Sequence, residues 1–201
     1  MKPNKTNPKA RVAGQKRPLT PQQVSTIEHL LTQEGDWRGL AMFRTPIDTM
    51  LRVSDVAALT LTDVTDSNGD VLDEIHIRQQ KTGEIVSAIL MPETKEAIKR
   101  WIAMRPMFWG EWLFTGRKPG EHISESQYRR EAKRWFRMAR LDTRFYSTHS
   151  LRRTKAAYIY AKTGNIEIVR QLLGHNSTQA TSRYLGIEKA DALKVAREFK
   201  I

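Results

Sequence analysis

The chain has 201 residues, 39% hydrophobic and 28% charged, without a cysteine; this suits one globular domain and excludes disulfides, thiolate metal sites and a cysteine nucleophile. Lys and Arg number 34 against 22 Asp and Glu, a net charge of +12, and such a surplus favours a polyanion, nucleic acid above all, as partner. No apolar run approaches the roughly 20 residues of a membrane span, and the polar, basic N-terminus lacks the apolar segment of a secretory signal, so a cytoplasmic location is expected.

Residues 1–18 read as a disordered basic arm. Lys2, Lys5, Lys9, Arg11, Lys16 and Arg17 stand there among Pro, Asn and Gly without one acidic residue. Two readings stand side by side: a strand laid on DNA phosphates, and a solvated tail. Order is expected from Thr20, where Thr20-Pro21-Gln22-Gln23 combines an N-cap, a proline at the first helical position and a capping-box glutamine. Val24, Ile27, Leu30 and Leu31 then share one helical face. A second helix is expected from about Trp37 to Leu51, kinked or split at Pro46. Ser54 is a candidate cap for a short third helix, Asp55 to Leu59.

β structure follows. Asp66 to Asp70 is a turn cluster. Ile75 and Ile77 alternate with His76 and Arg78 as in a half-buried strand. Lys81-Thr82-Gly83 makes a tight turn, and Ile85 to Met91 returns as a second strand. Pro92 opens a helix to about Met104, and Trp109 to Phe114 is a short apolar stretch before a glycine-bounded loop. The remainder reads as helical. Ser124 starts a strongly basic helix to about Arg140, with Trp135 and Phe136 on its buried side. Ser147 or Thr148 caps a helix that Gly164 ends. Ile166, Val169, Leu172 and Leu173 mark another, with Gly174 as terminator. A short helix passes through Tyr184, and an amphipathic segment from about Glu188 closes the chain. The fold class is therefore mainly α with a small antiparallel hairpin.

His149 and Arg152 lie three apart on one helix, so both basic groups face one way while Leu151 turns to the core. Two such groups can grip a single phosphate. Read in order, Arg52, Lys81, His149 with Arg152, His175 and Tyr184 resemble the tyrosine recombinase (phage integrase) family. Its members carry an early Arg in a short helix, a Lys in a hairpin turn, an H-x-x-R pair, a second His or Trp, and then a Tyr. The match runs over about residues 20 to 190 and implies the catalytic-domain fold of that family, an α+β fold. It also implies a site-specific DNA recombinase that cleaves and rejoins strands through a 3′-phosphotyrosyl link. A non-catalytic DNA-binding regulator on the same scaffold would be expected to lack one of these residues, and none is missing.

The implied roles suit the chemistry. Cleaving a phosphodiester builds negative charge on the phosphoryl oxygens, and fixed cationic donors stabilise it. Arg52 and Arg152 can make paired hydrogen bonds to phosphate. His149 and His175 can donate or relay protons. Tyr184 is the implied nucleophile, and Lys81 resembles the family's general acid for the leaving 5′ oxygen. No nucleotide or metal cofactor is needed. Asp55 matches an acidic position that orients the cations, and it equally suits a first-turn carboxylate favoured by the helix dipole. Tyr128, Tyr146, Tyr158 and Tyr160 compete for the nucleophile's role but are accounted for by packing or phosphate contacts. His29, His76 and His122 have no partner at a metal spacing, and Met42, Met50 and Leu51 read as core.

The expected organisation is an arm at 1–18, a catalytic domain at 19–187 and a C-terminal helix at 188–201. That helix either docks on its own domain or, as often in the family, exchanges between protomers. Most family members add an N-terminal helical domain that clamps DNA, and the residues ahead of Thr20 are too few for one. In size the chain resembles the single-domain recombinases of fimbrial switches. The implied partners are double-stranded DNA, further copies of the chain in a tetramer, and an accessory DNA-bending protein, with no membrane.

Overall fold

A computed structural model describes residues 15–105, 110–118, 120–187 and Arg197. Most of the basic arm, Trp109 and all but Arg197 of the expected C-terminal helix lie outside these residues. Among the described residues the order is α1 (Pro21–Gln33), α2 (Trp37–Thr49), α3 (Val53–Ala57), α4 (Leu61–Val64), β1 (Glu74–Arg78), β2 (Ile85–Ile89), α5 (Pro92–Met104), α6 (Glu125–Met138), α7 (Thr148–Thr163), α8 (Ile166–Leu173) and α9 (Thr178–Leu185). Among the described residues no helix is long and apolar enough to cross a membrane.

Local chemistry explains most boundaries. Thr20 and Ser124 each accept a backbone N–H and receive a reciprocal glutamine, closing capping boxes for α1 and α6. Ser147 is the cap of α7, and Gly164 and Gly174 end α7 and α8 in left-handed conformations. The two strands pair antiparallel, with Ile75 opposite Ala88 and Ile77 opposite Val86 on the buried face.

Helix α2 is the centre of the domain and is buried on nearly every side against α1, α5 and α7. Pro46 lies inside it and does not split it, so of the kink or split that the sequence allows, the split does not occur. A proline at that position leaves the Met42 carbonyl without its helical donor. The hydroxyl of Tyr128, fully buried on α6, donates to that carbonyl instead. This bond satisfies both groups and helps α2 run on past the proline. Phe43 and Tyr128 each set a ring edge-on against Trp135.

Two other expectations need correction. The third helix begins at Val53, not Asp55, and its cap position is held by Arg52, whose side chain makes no capping bond. Ser54 is within the helix, where its carbonyl accepts from Gln80 Nε2 at 3.2 Å. The four-residue α4 was not expected; Thr60 and Asp63 close a capping box on it. A smaller core of Met50, Ala156, Val169 and Leu173 joins α7 and α8 to α9, and Tyr184 packs against it.

Candidate active site

Four of the six candidate residues line one cleft of about 640 Å³: Arg52, Lys81, His149 and Arg152. They come from three elements. Arg52 stands at the start of α3, Lys81 on the exposed turn between β1 and β2, and His149 and Arg152 on the first turns of α7. Lys16, Glu125 and Arg129 complete the rim.

Arg152 is the most constrained of the cations. It is buried, donates through Nη2 to the Leu173 carbonyl at 2.8 Å, and leaves its Nε buried without a partner. Burial draws its pKa down to about 10, so it stays charged at neutral pH. A buried cation with an unsatisfied donor is poised for an anion. Arg52 donates to the side chain of Gln79. Asp55, in the first turn of α3, accepts the Gln80 N–H at 2.9 Å and so ties the hairpin to α3. Its charge also supports the protonated Arg152.

His175 and Tyr184 lie behind Arg152 rather than in the cleft. The His175 ring stands edge-on to the Tyr184 ring, with centroids 5.3 Å apart, and its Nδ1 is 3.1 Å from Thr181 Oγ1. The guanidinium carbons of Arg152 and Arg153 lie 5.7 and 5.4 Å from the centre of the Tyr184 ring. The Tyr184 hydroxyl is buried without a partner. Burial pushes its pKa to about 12, and Arg152, Arg153 and Arg52 pull the other way without overcoming it. His175 is drawn down to about 4, first by desolvation and then by Arg152 and Arg52. His149, on the exposed rim, is lowered by desolvation of its packed side and by Arg152. Both histidines are therefore neutral at pH 7.

The other tyrosines have structural tasks or none. Tyr128 serves the Met42 carbonyl, the Tyr146 hydroxyl accepts from Gln23 Nε2 at 3.2 Å, and Tyr158 is exposed near Lys162. His29 and His76 are at the surface, while His122 is half-buried against Trp112.

Two residues of this region belong to no motif of the sequence. Gln79 is fully buried between Arg52 and α8. Its signal was its register: with Ile75 and Ile77 it completes an alternating buried row. Arg153 donates to the Lys16 carbonyl at 2.6 Å and to Gln15 Oε1 at 3.1 Å, strapping the end of the arm beside Tyr184. Gln15 in turn donates to the Arg183 carbonyl. Nothing local in the sequence marks that contact.

The family model described as the phage integrase family matches residues 17–190. The probable integrase/recombinase YoeC of Bacillus subtilis is 28% identical over 171 residues, 84% of this chain and 87% of that protein. The tyrosine recombinase XerC of Neisseria meningitidis is 29% identical over 153 residues, 75% of this chain but 48% of that protein, so the chain spans about half of the XerC length. Among solved structures, the XerA recombinase superposes with a TM-score of 0.72 at 19% identity, over 92% of this chain and 65% of that one. The XerH recombinase bound to its difH substrate gives 0.70 at 18%, over 89% and 53%.

Proposed function

This chain belongs to the phage integrase family, and on that footing we propose that it is a site-specific DNA recombinase, with Tyr184 as nucleophile. The observation that carries the reading is the shared cleft of Arg52, Lys81, His149 and Arg152, with Arg152 packed over the ring of Tyr184.

In this reading a scissile phosphate occupies the cleft. Arg52 and Arg152 bind its non-bridging oxygens and gain most as charge builds there in the transition state. The Tyr184 oxygen attacks phosphorus, forming a 3′-phosphotyrosyl bond and breaking the bond to the 5′ oxygen. The phenol proton leaves for His149 or His175, whose affinity for a proton rises once a phosphate dianion-like centre lies beside them; His175 is next to the ring. The departing 5′ oxygen takes its proton from Lys81. Attack by the 5′-hydroxyl of another strand reverses these steps. The bond energy stays in the protein–DNA link throughout, so the groups named suffice without a nucleotide.

The Tyr184 hydroxyl must leave its buried position to reach phosphorus, so α9 moves when DNA binds. The unit that does this work is 19–187. Its substrate is double-stranded DNA, and exchange of two duplexes calls for four copies of the chain. The segment at 188–201, through docking or exchange between protomers, and an accessory DNA-bending protein are further parts of this reading.

The test is covalent capture from a pool of nicked duplexes with a randomised core. A denaturation-resistant adduct is expected with the wild-type protein and none with Tyr184→Phe. Equal adduct from both would overturn the assignment.

A further inference from the structure

Strand alternation directs Gln79 inward, behind Ile75 and Ile77, and a buried amide must find partners. Its Oε1 accepts from Arg52 Nη1 and from Thr82 Oγ1, the latter at 3.1 Å, and its Nε2 donates to the Leu173 carbonyl at 3.3 Å. That same carbonyl accepts from Arg152 Nη2. One side chain thus joins the first arginine, the turn that carries Lys81, and the end of α8 to which the second arginine is anchored.

The contact depends on close approach. Gly174, next to Leu173, has φ +61, and a Cβ there would stand 3.0 Å from Gln79 Nε2 and 2.7 Å from Val86 Cγ1. The left-handed terminator of α8 therefore also makes room for the hairpin. Arg52 and Arg152 are long, mutually repelling cations, and a fixed acceptor limits where the first can point.

We propose that Gln79 is a positioning residue that sets Arg52, the Lys81 turn and the Arg152 anchor relative to one another. The proposal rests on the reading of that cleft as the phosphate site. It predicts an effect on the rate of the chemical step far larger than on DNA affinity.

The test uses the full chain and the nicked duplex that the wild-type protein captures from the randomised pool. Single-turnover adduct formation at saturating protein gives the rate, and fluorescence anisotropy gives the affinity. Gln79→Leu is expected to slow adduct formation by about a hundredfold, with affinity changed only a few-fold. Gln79→Glu keeps the acceptor, loses the donor and offers Arg52 a competing carboxylate; it is expected to slow the step about tenfold or more at neutral pH. A wild-type rate in Gln79→Leu, or rate and affinity falling together, would overturn the proposal. If Gln79→Leu does not fold, a wild-type rate in Gln79→Glu overturns it. Should the wild-type protein form no adduct, the functional reading has failed, and hydrogen exchange of the DNA-free protein judges Gln79 alone. Loss of protection in Gln79→Leu confined to the hairpin turn and the end of α8 supports the join, and unchanged protection contradicts it.

Discussion

The guanidinium carbon of Arg152 lies 5.7 Å from the centre of the Tyr184 ring, and the hydroxyl of that ring is buried with no hydrogen-bond partner. Cations so close favour a phenolate, yet burial outweighs them and leaves a neutral phenol with a pKa of about 12. The free protein thus keeps the Tyr184 hydroxyl out of reach of solvent. Nitration of the DNA-free protein, read by mass spectrometry of its peptides, should modify the exposed Tyr158 first and leave Tyr184 largely intact. Tyr184 reacting as fast as Tyr158 would contradict the buried position.

The histidines predict an acid-sensitive fold. His175 titrates at about 4 in the folded protein against 6.5 unperturbed. Below 6.5 the unfolded chain takes up a proton that the folded protein refuses, so stability falls as pH drops from 6.5 to 4 and the loss levels off below that. His149 is lowered too and contributes with the same sign. Calorimetry across this range should show a declining Tm, with a shallower slope in His175→Gln. An identical slope in the variant would remove His175 from the explanation.

Tyr128 offers a control for the chemistry. Its hydroxyl is the donor for the carbonyl that Pro46 leaves open in α2. Tyr128→Phe should cost about 1–3 kcal/mol in denaturant unfolding, because a buried acceptor is left unpaired. The folded fraction should form adduct at the wild-type rate. A stability equal to wild type would mean that α2 tolerates Pro46 without this bond.

Arg152 is bound on one side to the Leu173 carbonyl and needs its remaining donors for an anion. A lysine at this position keeps the charge but cannot hold the carbonyl and a phosphate oxygen in the same plane. Arg152→Lys should therefore slow single-turnover adduct formation by about a hundredfold or more, with the fold retained by circular dichroism. A loss of only a few-fold would show that charge alone is required at this position.

Much of this architecture was legible because its signals are local. The capping boxes at Thr20 and Ser124 and the glycines at 164 and 174 fix helix ends by chemistry within a few residues. The order of Arg52, Lys81, His149, Arg152, His175 and Tyr184 could be read because it resembles that of the phage integrase family. Short α4 shows no helical periodicity in four residues, so only its Thr60–Asp63 box could have marked it. Other features depend on distant partners. Pro46 reads as a breaker until Tyr128 is seen to supply the missing donor. The withdrawn hydroxyl of Tyr184 and the strap from Gln15 and Lys16 to Arg153 depend on packing between ends of the chain.

The central claim is that Tyr184 itself becomes joined to DNA, and the most direct measurement is the mapping of that bond. The adduct captured on nicked duplex is digested with nuclease and trypsin, and the modified peptide is sequenced by mass spectrometry. Trypsin cuts after Arg183 and Lys189, so the predicted product is a peptide beginning at Tyr184 that carries a 3′-linked nucleotide on its phenol, with a free 5′-hydroxyl on the released strand. A nucleotide on any other residue, or attachment through a 5′ phosphate, would contradict the account.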